Sequence, residues 1–457
     1  MSESAPDLSS EGDINLSPRR AAWLRDGLDA PTRRLLADDA AGFLHQSLST
    51  PCLNVVVGAR GVYLEDMQGR QIMDFHGNSA HQVGYGHPRV IAAIKAQLDT
   101  LPFCPRRYTN AAAVELAQRL GALAPENLKK VLFCPGGTSA IGIALKLARV
   151  VTGRHKTISL WDSFHGASLD AISVGGEAMF RDGLGPLLPG AHHVAPCDPT
   201  RCAFKCGAAC NLRCAEAVEE KLAAEGDVGA VLIETVRCTD VQVPPPDYYR
   251  LIRAACDRHG ALLILDEIPI GLGRTGKFFA FEHYGVVPDI VVLGKGLGGG
   301  VVPMAAVIAR TDYDIAQHTS LGHYTHEKSS VGCAAALATL DVIRDEALVE
   351  RSATLGAHAL TRLHELAARH PLIGGVRGLG LLLGVELVTD RTSMAPARDA
   401  AEAVMYHCFA HGLSFKIGQG NVLTLTPPLT LSLAELDRAL DILDAALTAA
   451  ANETATL

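Results

Sequence analysis

Apolar runs of strand length recur along the middle of the chain. From about Val131 these runs read VLFC, TISLW, AVLIE, ALLILDEI, IVVLG and AAVIA, and segments with helical spacing of apolar residues separate them. Parallel strands inside a protein are near-continuously apolar, and a crossover helix joins each to the next. The pattern therefore predicts an α/β fold with a largely parallel sheet covered by helices.

The flanking segments follow other patterns. Arg19 to Gln46 has helical spacing, whereas Leu53 to Phe75 alternates around three glycines and predicts a meander of short strands. Past Val331 helices are predicted to dominate, and a capping box of Ser432 and Glu435 opens a final amphipathic helix. We expect an N-terminal arm with part of a small domain over 1–75, a large domain over 76–330 and a small C-terminal domain over 331–457.

Composition narrows the class of protein. The chain has 457 residues, a formal charge of −8 and 48% hydrophobic residues, which suits a globular protein of two or three domains. We expect no membrane span because no apolar run approaches about 20 residues. The acidic, polar N-terminus does not resemble a secretory signal, which predicts a cytoplasmic location. The mild acidity and the lack of a basic patch argue against a nucleic-acid partner.

A single lysine directly follows one of the buried strands. In IVVLGKGLGGGVVP, Lys295 stands between the apolar run and a glycine-rich turn. Desolvation lowers the pKa of a lysine amine, as a Schiff-base nucleophile requires, although a surface lysine beside a linker has the same pattern. A P-loop is excluded because Gly296 stands where Ser or Thr is needed, and a dinucleotide-binding fingerprint also fails.

Three other strand ends carry residues suited to a flat, phosphorylated cofactor. Ligands of open α/β sheets collect at the carboxyl ends of the strands. Gly137 and Thr138 open a helix whose N-terminus could bind phosphate or be a plain N-cap. Phe164 could stack on a ring or belong to the core. Asp266 needs a cationic partner, such as a pyridine nitrogen or Arg274, unless it is an N-cap. Together with Lys295, this succession predicts pyridoxal 5′-phosphate (PLP).

Longer motifs carry a family resemblance from about Leu53 to the C-terminus. They read GGTSAIGIALKLAR, WDSFHG, DEIPIGLGRTGKFFAFEHYGVVPDIVVLGKGLGGG, GHYTHEKSSVGCAAAL and VRGLGLLLGVELV. The chain resembles the class III aminotransferases, which are fold-type-I PLP enzymes. The resemblance implies a mostly parallel sheet in a large PLP-binding domain and a smaller α+β domain built from both chain ends.

The resemblance also implies roles for individual residues. Glu234 matches the acidic residue after the strand that precedes Asp266, and Thr325 matches a threonine that reaches the cofactor phosphate of the neighbouring subunit. A homodimer with shared active sites is therefore expected. The remaining implied roles are phosphate binding by Gly137 and Thr138, stacking of Phe164 and Ile268 on the two ring faces, pairing of Asp266 with the ring nitrogen, and covalent attachment of the cofactor to Lys295.

Departures from the family pattern bear on the reaction. Pro269 replaces a glutamine that usually donates to the cofactor's phenolic oxygen, and 415–421 lacks a clear counterpart of the arginine that binds a substrate carboxylate. These changes resemble a subgroup that includes ammonia-lyases. The resemblance implies elimination from a small β-hydroxy amine, (R)-2-amino-1-hydroxyethylphosphonate, to give phosphonoacetaldehyde and ammonia. The alternative is a class III aminotransferase that moves an amino group from an ω-amine or amino acid to a keto acid.

A phosphonate substrate would need concentrated positive charge, and a hydroxide leaving group would need an acid. For the phosphonate we expect the basic side chains Arg106, Arg107, Lys328 and Lys416. The two arginines could instead be a solvated approach to a helix. For the acid the candidates are His81, His323, His326 and Glu327.

The segment 197–214 is rich in cysteine and is predicted to be an insertion in the large domain. Cysteines recur at every fourth position, at Cys202, Cys206, Cys210 and Cys214, with Cys197 just upstream. Four thiolates in a short loop predict a tetrahedral structural zinc site, although the usual spacing is tighter. Unliganded thiols and a redox or iron–sulfur role are the alternatives.

Overall fold

The computed structural model describes residues 17–46, 49, 52–206 and 210–456. Its helices are α1 Pro18–Ala22, α2 Ala30–Gly42, α3 Pro88–Thr100, α4 Ala111–Leu123, α5 Gly137–Thr152, α6 Leu169–Val174, α7 Arg213–Glu225, α8 Tyr248–His259, α9 Ser330–Asp345, α10 Leu348–Arg369, α11 Arg398–Ala410 and α12 Leu433–Thr456. Its strands are β1 Val56–Arg60, β2 Tyr63–Asp66, β3 Gln71–Asp74, β4 Leu128–Cys134, β5 Lys156–Leu160, β6 Ala191–Val194, β7 Val228–Glu234, β8 Leu262–Asp266, β9 Ile290–Leu293, β10 Ala305–Arg310, β11 Ile373–Leu379, β12 Leu382–Asp390, β13 Ala395–Pro396, β14 Leu413–Ser414, β15 Lys416–Gly418 and β16 Val422–Leu425.

A seven-stranded sheet forms the centre of the larger of two compact units, which consists of Asn78–Cys238 and Gln242–Arg351. The strand order is β4-β10-β9-β8-β7-β5-β6, and only β10 runs antiparallel to its neighbours. The predicted α/β fold with a mostly parallel sheet is confirmed. The edge strand β6 was not predicted, because its sequence AHHV lacks the apolar run of a buried strand.

Helix α5 is packed onto this sheet along most of its length. The side chains Ile141, Ile143 and Ala144 are at most 1% exposed and share a core cluster with Ile264 of β8. The helix ends where Gly153 adopts φ 67°, a left-handed conformation that glycine adopts at no steric cost. The core therefore fixes where the first turn of α5 lies relative to the strand ends.

The smaller unit comprises the described residues of Met1–Gly77, together with Thr239–Val241 and Ser352–Leu457. The predicted meander is confirmed, since β1, β2 and β3 pair antiparallel in sequence order. A second sheet has the order β11-β12-β16-β15. The apolar pattern past Val331 predicted mainly helices, and these strands are the part it missed. Trp23 lies in a separate core cluster with Leu36 and Phe409.

Polar contacts hold the short segment Thr239–Val241 in the smaller unit. Arg377 donates to the carbonyl oxygens of Asp240 and Val241 and forms a 2.6 Å ion pair with the buried Glu386. Thr424 donates to the Thr239 carbonyl oxygen at 2.9 Å. The contacts made by Thr239, Asp240 and Val241 join residues 136 to 185 positions apart, and the sequence pattern gave no sign of them. Residues 331–351 belong to the larger compact unit, whereas the sequence-based bounds assigned them to the C-terminal domain.

The last helix begins as its capping box predicts. The Ser432 N–H donates to Glu435 Oε2 at 2.8 Å, and the Glu435 N–H donates back to Ser432 Oγ at 3.2 Å. The predicted apolar face of α12 is buried, with the leucines Leu436, Leu440, Leu443 and Leu447 at most 1% exposed. Within the described residues, no helix combines the length and the apolar character that a bilayer crossing requires.

A buried carboxyl group anchors the turn at Ala280–Tyr284. Glu267 is fully buried, accepts from the Ala280 and Phe281 N–H groups at 2.7 and 2.8 Å, and accepts from Thr235 Oγ1 at 2.9 Å. Burial raises the pKa of Glu267 from 4.5 to about 7, although the three donors oppose that rise. The folded state therefore binds this proton more tightly than the unfolded state does.

The raised pKa predicts a pH-dependent stability. Stability from protonated Glu267 is fully present below pH 4.5 and is lost as the pH rises through about 7. The lost contribution is on the order of 3 kcal/mol. Glu267→Gln removes this titration. The wild type's melting temperature minus the variant's should therefore decrease as the pH rises from 5 to 8, as measured by calorimetry. A difference that stays constant over this range would contradict the assignment.

Candidate active site

Strands β5, β7, β8 and β9 bring several polar side chains to one edge of the sheet. Glu234 at the end of β7 is paired in register with Asp266 at the end of β8, and Asp266 is paired with Val292 of β9. Lys295 follows β9 by two residues. Because these strands are parallel, their carboxyl ends lie side by side, where ligands of such sheets collect.

Asp266 is buried in contact with a histidine. Its Oδ2 lies 2.8 Å from Nδ1 of His165, and its Oδ1 accepts from the Ile268 N–H at 3.0 Å. The exposed fractions of Asp266 and His165 are 1% and 2%. A buried carboxylate needs such partners. The sequence analysis did not assign this role to His165, although its position directly after Phe164 was a usable signal.

Glu234 supports the residue that was predicted to stack on the cofactor ring. Its carboxylate accepts from the backbone N–H of Phe164 at 3.0 Å and from that of Cys238 at 3.2 Å. Burial raises the pKa of Glu234, and the nearby Asp266 adds to the rise, whereas His165 and the two N–H donors oppose it. The Phe164 ring also packs on Phe180, with ring centroids 4.6 Å apart.

The first turn of α5 has free backbone donors. Gly136 is its N-cap residue and makes no side-chain hydrogen bond, so the N–H groups of the first turn have no side-chain cap. A Cβ on Gly137 would come within 2.7 Å of Ile268 Cδ1, and a Cβ on Gly166 would overlap Thr138. The glycines thus allow the loops after β5 and β8 to approach the helix N-terminus closely. A helix N-terminus without a side-chain cap is suited to a phosphate group.

Lys295 begins a 3₁₀ turn that ends at Gly298. Its φ is 46°, a left-handed value that is uncommon for a residue other than glycine, and such values concentrate at functional sites. The next residue, Gly296, faces Gln82, whose amide group occupies the space that a Cβ on Gly296 would need. Gln82 is 1% exposed, and the sequence analysis did not single it out.

These residues fit PLP. The uncapped N-terminus of α5 suits the phosphate group, and the buried Asp266 carboxylate suits a protonated ring nitrogen. Ile268 lies against Gly137 and has its Cγ2 within 3.1 Å of a Cβ placed on Gly294, so it spans the distance between the α5 N-terminus and the residue before Lys295. The chain therefore gathers Gly137, Thr138, Phe164, Asp266 and Ile268 around the end of the strand that carries Lys295.

The other predicted site residues are more dispersed. Arg106 lines a cavity of about 530 Å³ together with His323 and Glu327, and Lys295 is not among the described residues that line it. Arg107 and Thr325 are exposed. Lys328 is half-buried, and its carbonyl oxygen accepts a hydrogen bond from Asn110. His326 is exposed and its ring contacts Phe103, whereas His81 is buried. Lys416 is buried in β15 of the smaller unit.

The predicted zinc site is not supported. Within 17–46, 49, 52–206 and 210–456, no three described His, Cys, Asp or Glu side chains form a group that could hold a metal ion. The sulfurs instead make hydrogen bonds as thiols: Cys202 Sγ lies 3.3 Å from Cys206 Sγ, and Cys206 donates to Asn211. Cys214 lies beside Cys197 and Cys210. The regular spacing of the cysteines therefore does not arrange them as ligands.

Known proteins resemble this chain over nearly its whole length. Residues 45–447 match the family model described as aminotransferase class III. The (R)-1-hydroxy-2-aminoethylphosphonate ammonia-lyase of Vibrio splendidus is 48% identical, with 97% of this chain and 96% of the lyase covered. A leucine/methionine racemase of Thermococcus litoralis is 36% identical, with 86% and 90% covered. Among solved structures, a PLP-bound amine transaminase from an uncultivated Pseudomonas species has a TM-score of 0.84 at 32% identity, with 89% and 98% covered.

The chain therefore belongs to the class III aminotransferase family. It is a PLP-dependent enzyme with the fold-type-I architecture, as the motifs predicted. Its similarity to the Vibrio splendidus lyase extends through both compact units.

The contact of Gly296 with Gln82 yields a steric prediction. Gly296→Ala should displace the buried Gln82 side chain, destabilise the protein by about 1–3 kcal/mol and weaken PLP retention at the adjacent Lys295. The readouts are the melting temperature and the visible absorbance of the lysine-bound cofactor. Gly298→Ala is the matched control, because a Cβ there meets its neighbours at ordinary contact distances of 3.6 Å or more.

The cause of that loss can be checked by rescue. Adding Gln82→Ala to Gly296→Ala frees the space that the new methyl group needs, so the double variant should regain PLP retention relative to Gly296→Ala alone. If the double variant retains even less PLP than Gly296→Ala, the clash with Gln82 is not the cause.

Proposed function

We propose that the protein is a PLP-dependent ammonia-lyase that converts (R)-2-amino-1-hydroxyethylphosphonate into phosphonoacetaldehyde and ammonia. The observation that carries the proposal is the 48% identity, over 97% of the chain, to the Vibrio splendidus enzyme named for this activity. The absence of a clear carboxylate-binding arginine in 415–421 supports it too, because the usual amino-acid and keto-acid substrates of an aminotransferase carry a carboxylate.

Lys295 acts first as the attachment point of the cofactor and then as the base. PLP supplies an aldehyde that binds the substrate amine and a ring that withdraws electrons from the carbon carrying that amine. As the base, the Lys295 amine would take the proton from this carbon. Asp266, held in place by His165, stabilises a positive charge on the ring nitrogen, which strengthens the electron withdrawal.

Loss of the hydroxyl group needs a proton donor. Hydroxide is a poor leaving group, so an acid must protonate it as the bond to carbon breaks. His323 and Glu327, which line one cavity with Arg106, are the candidates from a single region. Water leaves, and the remaining aminovinylphosphonate takes up water again to give phosphonoacetaldehyde and ammonia. Atoms balance without a keto acid, and nothing is oxidised or reduced overall.

Arg106, Arg107, Lys328 and Lys416 remain the proposed ligands of the phosphonate group. Arg106 is half-buried and lines the cavity with His323 and Glu327, but neither Lys295 nor Asp266 is among the described residues that line it. An arginine guanidinium can bind two phosphonate oxygens at once. The cytoplasmic location also stays a prediction.

The lyase proposal predicts ammonia release without a co-substrate. Purified PLP-loaded enzyme with the amino-hydroxyethylphosphonate alone should release ammonia and phosphonoacetaldehyde in equal amounts over many turnovers. Lys295→Ala should lower the rate at least about a thousandfold, because it removes both the cofactor attachment and the base. Ammonia, aldehyde and phosphate are measured separately. Turnover only with a keto acid would establish the alternative aminotransferase activity, and free phosphate would indicate a phospho-lyase; either would refute the proposal.

We further propose a homodimer in which Thr325 of each chain completes the site of the other. Thr325 is exposed in the single chain, as is His323. An exposed threonine two positions before Glu327 is available to a neighbouring subunit, and symmetric dimers are the commonest oligomers of soluble proteins. The exposed surface and the family motif around this residue support the arrangement.

Shared sites predict complementation between two inactive variants. Thr325→Ala should weaken PLP binding enough to abolish turnover when PLP is limiting, and Lys295→Ala should abolish turnover at any PLP concentration. Mixed dimers contain one intact site, with Lys295 from one chain and Thr325 from the other. After unfolding and co-refolding in equal amounts, about one quarter of the wild-type activity should return, whereas each variant refolded alone stays inactive. No recovery despite mixed dimers on native mass spectrometry would refute shared sites.

A further inference from the structure

Two thiols lie in contact in the loop between β6 and α7. Cys202 Sγ is 3.3 Å from Cys206 Sγ, and both side chains are partly exposed. A hydrogen bond from the Lys205 N–H to the Cys202 carbonyl oxygen, 2.9 Å long, closes the turn that brings them together. We propose that Cys202 and Cys206 form a reversible disulfide, which makes this loop a site of oxidation by small disulfides such as oxidised glutathione.

The distance is favourable for bond formation. A disulfide bond is about 2.0 Å long, so the two sulfurs need to approach by little more than an ångström, and the turn already faces them toward each other. The neighbouring Asn211 Oδ1 accepts a hydrogen bond from the Cys206 thiol at 2.8 Å, which orients that sulfur. The loop closed by the bond is only five residues long, so oxidation changes the chain entropy little and stays reversible.

The reaction is an ordinary thiol–disulfide exchange. The Cys202 thiolate attacks one sulfur of oxidised glutathione, which forms a mixed disulfide and expels one glutathione thiolate. The deprotonated Cys206 sulfur then attacks Cys202 Sγ and expels the second. Two protein thiols are oxidised to one disulfide, the small disulfide is reduced to two thiols, and the two cysteine protons end on those thiols.

Access distinguishes this pair from the other cysteines nearby. Cys197 and Cys214 lie beside each other but are 5% and 2% exposed, so a small disulfide cannot reach them easily. Cys210 is exposed and lies near Cys214. The contact between Cys202 and Cys206 therefore predicts which of several available thiols become paired.

The sequence allows a direct test of the pairing. Trypsin cuts after Arg201, Lys205 and Arg213, so the peptides CAFK and CGAACNLR stay joined only if Cys202 is bonded to a cysteine of the second peptide. The PLP-loaded full chain is equilibrated in glutathione buffers of graded oxidation, free thiols are alkylated, and the digest is analysed by mass spectrometry. The joined peptides should increase with the share of oxidised glutathione and disappear when reductant is added.

Three serine variants in the same loop assign the bond. Cys202→Ser and Cys206→Ser should each lower the yield of joined peptides by about tenfold or more, whereas Cys210→Ser, the matched control, should leave it unchanged. Far-ultraviolet circular dichroism confirms that each variant is folded.

Three outcomes would overturn the proposal. One is a joined product that needs Cys210 and not Cys206, and another is glutathione adducts on both thiols with no bond between them. The third is a bound metal ion that protects Cys202 and Cys206 from oxidation until a chelator is added.

Discussion

A carboxylate is buried at the end of a central strand, and the arrangement of the site follows from the need to keep it there. Asp266 is 1% exposed, and an isolated charge in such a position would be costly. The chain supplies a histidine ring from the loop after β5 and a backbone N–H from Ile268. Because β5, β7 and β8 run parallel, residues from separate parts of the chain meet Asp266 at one edge of the sheet, and a cofactor with a protonated ring nitrogen gains a preorganised partner.

Close packing imposes the second constraint on the site. Gly137 lies against Ile268, Gly166 against Thr138 and Gly296 against Gln82, and none of the three contacts leaves space for a Cβ. These glycines lie beside the residues expected to touch the cofactor, so the backbone of the helix N-terminus and of the lysine turn can approach their neighbours closely. The site thus depends on having glycine, with no Cβ, at these three positions as well as on the side chains around them.

Proteins similar to this chain are named for several different reactions. A racemase and a transaminase resemble this chain over more than four fifths of its length, as the lyase does. In this chain the departures from the family pattern are Pro269, directly after Ile268, and the segment 415–421. A few substitutions at and near the site can therefore change the reaction while the fold is kept.

Local pattern alone determined the α/β sheet, the N-terminal meander and the start of α12, because each is encoded by the spacing of neighbouring residues. The longer motifs added the family resemblance, from which the roles of the site residues were expected. Only the tertiary structure decided that His165 partners Asp266, that Gln82 lies against Gly296 and that Thr239–Val241 joins the smaller unit. Such contacts join residues from 101 to more than 200 positions apart in sequence, and no local pattern records them. The cysteine spacing suggested four equivalent zinc ligands. In the folded chain, Cys202 and Cys206 are in contact, and Cys214 is buried beside Cys197. The turn of the folded backbone, and not the interval along the chain, decides which sulfurs meet.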